Sequence, residues 1–286
     1  MIISVASGKG GTGKTLIATS LALALKDKGA VTLLDCDAEE PNDHIYIKPE
    51  SSSSEPVSIP VPSVDEAKCT GCGVCSDVCV FNAIAVVAGK VLVFNELCHG
   101  CGACAYLCPA GAISEVPHEL GVLEEGKVEG MRFFDGVLTI GQPMAPPIIR
   151  EVRKKSDGDG ITIIDASPGT SCPVVEAVRE SDFCLLVTEP TPFGLNDLRL
   201  AVETVRELGL AHGVIINRAG VGDDRTEEFC RGEGIPILMT IPLDERIART
   251  YSRGTPLIEA LPEYRPQFLE MYDRIREMVN ERSSST

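Results

Sequence analysis

No run of apolar residues approaches the ~18 needed to cross a bilayer, and basic residues are scarce, 26 Lys and Arg against 42 Asp and Glu. The first absence argues against a membrane span. The second leaves a formal net charge of −16. Its field repels nucleic-acid phosphates and anionic lipid surfaces, so neither nucleic acid nor membrane is expected as a partner. The opening residues, MIISVASGKGG, lack a positively charged start and an apolar core of leader length, which points to a cytoplasmic protein. In that reducing compartment the twelve cysteines are not expected to form a disulfide framework, and metal or cluster ligation becomes their first reading. Tryptophan is absent too. With 44% hydrophobic and 24% charged residues, the composition is nevertheless that of an ordinary soluble chain, neither disordered nor fibrous. Its 286 residues suffice for one large α/β domain with an addition, or for two modest domains.

What is present reads first as strand, glycine loop, helix. MIISVAS is a β-rich run ending in glycines, and TLIATSLALALKDKG carries Leu16, Leu21, Leu23 and Leu25 among helix formers before a Gly stop. AVTLLDCD (30–37) follows as a buried strand ending in Asp35 and Asp37. Pro and Ser punctuation then breaks the pattern, and serines 51–54 read as linker. Further on, GITIIDASPG, DFCLLVTEP, AHGVIINR and IPILMTIP are apolar runs of strand length, separated by helical stretches such as LNDLRLAVETVRELG. Strands alternating with helices predict a doubly wound, mainly parallel α/β sheet with ligands at the C-terminal strand ends. The last helix places Phe268, Met271, Tyr272, Ile275, Met278 and Val279 on one face and mixes acidic with basic residues. It is expected to pack on the domain and not on a membrane.

GKGGTGKT (8–15) satisfies the phosphate-loop pattern G-x-x-x-x-G-K-S/T and lies between a predicted strand and a predicted helix, the context such a loop requires. Gly8, Gly10, Gly11 and Gly13, with Thr12 among them, would turn backbone N–H groups inward around a polyphosphate at the positive end of the helix. Lys14 should reach the β and γ phosphates, and Thr15 should place its hydroxyl on Mg2+.

Lys9 is the more discriminating residue. KGGxGKT resembles the deviant Walker A signature of the MinD, ParA, Mrp and nitrogenase-iron-protein superfamily of P-loop ATPases. That resemblance implies a protein that binds ATP and ADP, hydrolyses ATP with Mg2+, and forms an ATP-dependent homodimer in which Lys9 crosses to the partner's nucleotide. LLDCDAEEPN is similar to the family's switch I. Asp37 would then position the attacking water or a water on Mg2+, with Asp35 beside it. ITIIDASPG resembles its Walker B and switch II, bringing Asp165 to the metal's outer shell and leaving Gly169 free to follow the γ-phosphate. In GVIINRAG, Asn217 and Arg218 stand where family members read the adenine edge and cover the ring, with a turn-closing strand-end Asn as the competing reading. IPLDERIARTYSRGTPLIE is similar to the family's late segment.

Cys69, Cys72, Cys75 and Cys79 form C-x2-C-x2-C-x3-C, and Cys98, Cys101, Cys104 and Cys108 repeat it, with Pro109 following. This is the run of a bacterial two-cluster ferredoxin, in which three close thiolates hold one cubane and the fourth crosses to the other. One 4Fe-4S cluster would take Cys69, Cys72, Cys75 and Cys108, and the second Cys98, Cys101, Cys104 and Cys79. Structural zinc pairs two separated C-x2-C arms, which three cysteines at successive x2 spacing do not make. Val80 replaces the usual proline after the first run, and His99 reads as a solvent-side residue. Cys36, Cys184 and Cys230 sit in apolar contexts as core residues. Cys172 follows Asp165 by seven positions, where the nitrogenase iron protein keeps a cluster-holding cysteine. A bridging cluster and a resting thiol both remain open there.

The expected architecture is therefore a P-loop ATPase domain made of residues 1–44 and 120–286, a small α+β ferredoxin domain inserted at 64–118, and a linker at 45–63. The first functional expectation is low-potential electron transfer coupled to nucleotide state, toward an unidentified redox or cluster-accepting protein. The alternative is a carrier or maturation factor for iron–sulfur clusters of Mrp type, although the late C-x-x-C of those relatives is missing. A positioning ATPase of ParA or MinD type would need a basic face or membrane helix that the sequence does not show.

Overall fold

The computed structural model describes residues 1–128, 130–156, 158 and 160–284. Nine of the eleven strands among these residues form one sheet. In chain order the strands are β1 Ile2–Ala6, β2 Val31–Cys36, β3 Glu50–Val64, β4 Ile84–Val87, β5 Lys90–Val93, β6 Ile113–Val128, β7 Met131–Leu138, β8 Ile161–Ala166, β9 Phe183–Thr188, β10 His212–Ala219 and β11 Ile237–Pro242. The large sheet runs β11-β10-β9-β1-β8-β2-β7-β6-β3. Its first seven strands are parallel, whereas β6 is antiparallel to both β7 and β3.

The parallel strands are continuous apolar runs because helices cover both faces. Neighbouring residues point to opposite sides: Leu33, Ile163 and Leu185 join one core cluster, and Leu34, Ile164 and Leu186 the other. On the first side lies the helix Lys14–Leu25, all twelve residues of which are buried. It is enclosed between the sheet and the C-terminal helix Arg265–Ser283, whose Phe268, Met271, Tyr272 and Ile275 are buried in the same cluster, with Met278 and Val279 packed at its margin. Arg265 reaches the carbonyls of Leu23 and Ala24 at 3.3 and 3.4 Å and Asp27 at 3.3 Å, capping the end of the enclosed helix. The helices Pro146–Arg153, Cys172–Val178 and Pro192–Glu207 cover the other face.

The stretch expected as a linker is structured instead. Residues 43–47 form a short helix, and Glu50–Val64 is a strand paired with β6 from Glu50↔Lys127 to Val64↔Ile113. Serine and proline are tolerated in this strand because β3 is the outer edge of the sheet, the place where polar residues and prolines such as Pro56, Pro60 and Pro62 are accommodated. The boundary expected near residue 120 falls inside β6 for the same reason.

Only the second half of β6 pairs with β7, from Gly121↔Leu138 to Val128↔Met131. Its first half and the end of β3 continue as a two-stranded arm, roughly 25 Å beyond β7 at about 3.4 Å per residue. Leu138 is the C-terminal end of β7, so the arm projects past the sheet edge at which the glycine loop follows β1. Residues 65–112 form a cysteine-rich unit at its tip, closed by the Asp65 N–H to the Ala112 carbonyl at 2.8 Å. The internal repeat is visible in its backbone: the helices Val74–Val78 and Ala103–Tyr106 both start from a left-handed glycine, Gly73 and Gly102. Between them lie the β4–β5 hairpin and one 3-10 turn.

Arg265→Ala is expected to cost about 1 kcal/mol, a fall of roughly 2–4 °C in thermal midpoint. An unchanged melting curve would mean that water caps the enclosed helix equally well.

Candidate functional site

After β1 the chain turns through Gly8–Thr15 into the helix Lys14–Leu25. Two close approaches explain the glycines. A Cβ on Gly8 would collide with the Asp197 carbonyl, and one on Gly13, at φ 99°, would sit 2.5 Å from Asn217 Nδ2. The loop opens on a cavity of about 310 Å³ bordered by Gly10, Gly11, Gly13, Lys14 and Thr15, by Asp37, and by Asn217 and Arg218. Its far wall is Pro242, Leu243, Asp244, Ile247, Ala248 and Tyr251. No residue of that wall was singled out from the sequence, although all of them fall in or beside the late segment IPLDERIARTYSRG.

The remaining loop residues serve the cradle from outside. Asn217 donates from Nδ2 to the Thr12 carbonyl at 2.7 Å and accepts the Arg218 N–H at 2.9 Å, so both ends of its amide fasten the loop to β10. The Gly169 N–H donates to the Ser7 carbonyl at 2.8 Å, tying the segment after β8 to the loop's start. Lys9 lies outside the cavity, ion-paired with Glu189, which also receives Arg218 at 3.0 Å. Burial opposes the charge of Glu189, but Lys9 and Arg218 together hold its carboxyl below the usual range. Glu189 was not predicted, since only folding brings the end of β9 to the loop.

Beneath the cradle, Asp165, Asp35 and Asp135 stand in one register row across β8, β2 and β7. Thr15 donates its hydroxyl to Asp165 at 2.7 Å. Asp35 accepts the N–H groups of Asp37, Asn42 and Asp43 at 3.0, 2.9 and 3.0 Å, folding residues 37–43 into a loop around one carboxylate. Asp43 is fully buried, among the described residues no N–H or hydroxyl donates to either of its oxygens, and its oxygen atoms approach those of Asp35 and Asp165 within 4.8 Å, where a proton on Asp43 would bridge it to Asp165. Three such carboxylates cannot all be charged without a proton or a cation among them. Burial above all, then the neighbouring acids, pushes Asp35 and Asp43 up, while backbone N–H groups pull Asp35 back. Burial likewise raises Asp37 and Asp165 to about 6 against the opposing pull of Lys14. The Thr15 hydroxyl with Asp165 and Asp37 is a hard oxygen set of the kind Mg2+ takes, and the second oxygen of Asp165 is buried without a partner.

The eight clustered cysteines border two further cavities. Each has a volume of about 20 Å³; one is lined by Cys79, Cys98, Cys101 and Cys104, the other by Cys69, Cys72, Cys75 and Cys108. Each takes three cysteines from one run and the last from the other. Backbone N–H groups point at sulfur: Ala83 to Cys79 at 3.3 Å, Gly100 to Cys98 at 3.5 Å and Ala112 to Cys108 at 3.4 Å. Such donors favour thiolate, and they hold the Cys108 thiol below its ordinary value. His99 is exposed and stacked on Phe81, ring centroids 3.7 Å apart. Cys172 is exposed at the start of its helix, while Cys36, Cys184 and Cys230 are buried.

A family model described as the CobQ/CobB/MinD/ParA nucleotide binding domain matches residues 3–257. The chain belongs to this family. An uncharacterized protein of Methanocaldococcus jannaschii, MJ0579, is 30% identical over 262 residues, covering 91% of this chain and 92% of its own. The cytosolic Fe-S cluster assembly factor NUBP2 of Rattus norvegicus is 27% identical, covering 92% and 86%. Among solved structures, the septum site-determining protein MinD of Pyrococcus horikoshii, complexed with Mg-ADP, superposes with a TM-score of 0.61 at 21% identity over 97% of this chain and 96% of its own, a likeness of fold. Among the described residues no helix is long and apolar enough to cross a membrane.

With Asp37 and Asp165 raised to about 6, protonation removes their charge well above the normal carboxylate range. Mg2+-nucleotide binding by this CobQ/CobB/MinD/ParA-family chain should weaken as pH falls through about 6. The sign for the ligand-free fold is opposite: acids with raised values lose stability as pH rises from their unfolded value of about 4 through about 6. Titration calorimetry with Mg2+-ADP and thermal melting from pH 7.5 to 5 should show the two trends diverging. Flat affinity to pH 5 would contradict the assignment.

Proposed function

We propose that this chain is an ATP-hydrolysing protein of iron–sulfur cluster metabolism, an assembly or carrier factor whose nucleotide site and two 4Fe-4S sites share one polypeptide. The observation that carries it is the combination of a phosphate cradle with two cavities that each offer four cysteine sulfurs. The relatives named as cytosolic Fe-S cluster assembly factors support the assembly role over the electron-transfer role that ranked first on sequence alone. We infer that the cysteine unit is an inserted ferredoxin-type domain, to which its repeated helices and crossed cysteine sets lend support.

In the nucleotide site the loop N–H groups and Lys14 bind and orient the phosphates, and Asp37 orients the attacking water. Mg2+, held by the Thr15 hydroxyl with Asp165 behind it, would supply neutralisation of the phosphate charge. Lys9 leaves Glu189 to meet the second protomer's nucleotide. A homodimer through this face is supported by four exposed apolar residues, Ile140, Phe193, Val221 and Leu243, each of which follows the C-terminal end of a parallel strand.

A second reading, ATP-coupled electron transfer, is favoured by the N–H···S contacts and the crossed cysteine sets, a design that retains a cluster. Oxygen-free protein incubated with a metal-free ferredoxin and Mg2+-ATP separates the two. Iron passing to the acceptor, and failing to pass from Lys14→Ala, supports the carrier. Reversible reduction with all iron retained overturns it in favour of electron transfer. Cys75→Ser should retain nucleotide binding while losing about half of the eight irons, and loss of both properties would contradict the division of labour.

A further inference from the structure

The loop that contributes Asp37, Glu40 and Asn42 to the nucleotide cavity is attached at its far end to the arm that carries the cysteines. Asp35 gathers its N–H groups from within, and the helix Asp43–Ile47 follows directly. From that helix, His44 Nδ1 lies 3.2 Å from Oδ2 of Asp135 on β7, and with its proton in place the ring donates to the buried carboxylate. The loop is also tied to β7 by its backbone, the Leu138 N–H donating to the Ala38 carbonyl at 2.8 Å. On its other edge β7 pairs with β6, where Asp135 stands opposite Glu124, and β6 runs on, through a register shift against β3 at Val57/Ser58, to Ile113 and the cysteine unit.

The helix has a second anchor. Tyr46 stacks on Tyr251 at 4.8 Å between centroids, and Tyr251 lines the nucleotide cavity. Ile45 lies against Gly254, where an added Cβ would meet its Cγ2 at 2.9 Å. A helix of five residues thus touches the loop that must close on a nucleotide, the far wall of the cavity, and the root of the arm.

We propose that the His44–Asp135 contact is the joint through which the nucleotide site and the cysteine-bearing arm sense each other, with His44 and Asp135 as positioning residues. Movement of residues 37–43 around a bound γ-phosphate pulls on His44, and His44 shifts β7 and the arm paired to it. Coupling of this kind is reciprocal, so cluster occupancy or reduction alters nucleotide affinity by the same factor that nucleotide alters the arm. The cluster half of this statement rests on the function proposed above; the nucleotide half does not.

The test is hydrogen exchange of the full chain with and without the non-hydrolysable analogue AMP-PNP and Mg2+, with iron content and analogue affinity measured on the same samples. Wild type should show a change in amide exchange across residues 113–128 when the analogue binds. His44→Ala, on a half-exposed side chain, should bind the analogue normally but lose that change by about fivefold or more, the lower range of ordinary coupling. His44→Gln, which keeps a donor toward Asp135, should restore it. An arm that ignores the analogue in wild type, or responds equally in His44→Ala, overturns the joint. Failure of the cluster reading appears separately, as missing iron in protein whose arm still answers to the analogue.

Discussion

Three carboxylates in one row, Asp165, Asp35 and Asp135, lie in the interior, near the C-terminal ends of β8 and β2 and midway along β7. Burying that much like charge is costly, and the surroundings are arranged to offset it. Three backbone N–H groups converge on Asp35, a threonine hydroxyl on Asp165 and an imidazole on Asp135. Each of these partners belongs to a different functional segment: the loop after β2, the phosphate cradle, and the helix beside the arm. Satisfying the acids therefore fixes the relative placement of the elements that bind nucleotide and the element that carries the cysteines.

The row also explains why the ligand end of the sheet is poised to change. Asp43, with no N–H or hydroxyl donor to either oxygen among the described residues, is stabilised by a shared proton or by an approaching cation. A divalent cation beside these carboxylates would favour their charged forms, which burial and their mutual repulsion otherwise oppose. On the opposite flank the Lys9–Glu189–Arg218 cluster keeps two cations near the cradle.

Much of this was legible in the sequence where function is local. GKGGTGKT sets its own backbone, so the loop, the strand before it and the helix after it could be read directly. The cysteine spacing dictates which thiols can converge, since residues three apart in a tight loop face one centre. The edge strand could not be read, because Ser51–Ser54 and three prolines carry no apolar alternation, and only its position at the margin of the sheet makes it a strand. Nor could the partners of the acids: His44 meets Asp135, and Glu189 meets Lys9, through register and crossover connections that no short motif encodes. Asn217 was found as a site residue, but its hydrogen bond to Thr12 is visible only in three dimensions.

One chain is proposed to combine a nucleotide cradle with two cubane sites, the loop beside the cradle being rooted next to the arm that holds them. Purification without oxygen, followed by iron, sulfide and zinc counts alongside Mg2+-ATP binding on the same sample, tests it most directly. Brown protein with about eight irons and eight sulfides per chain and one nucleotide bound is expected. Colourless protein loaded with zinc would contradict it.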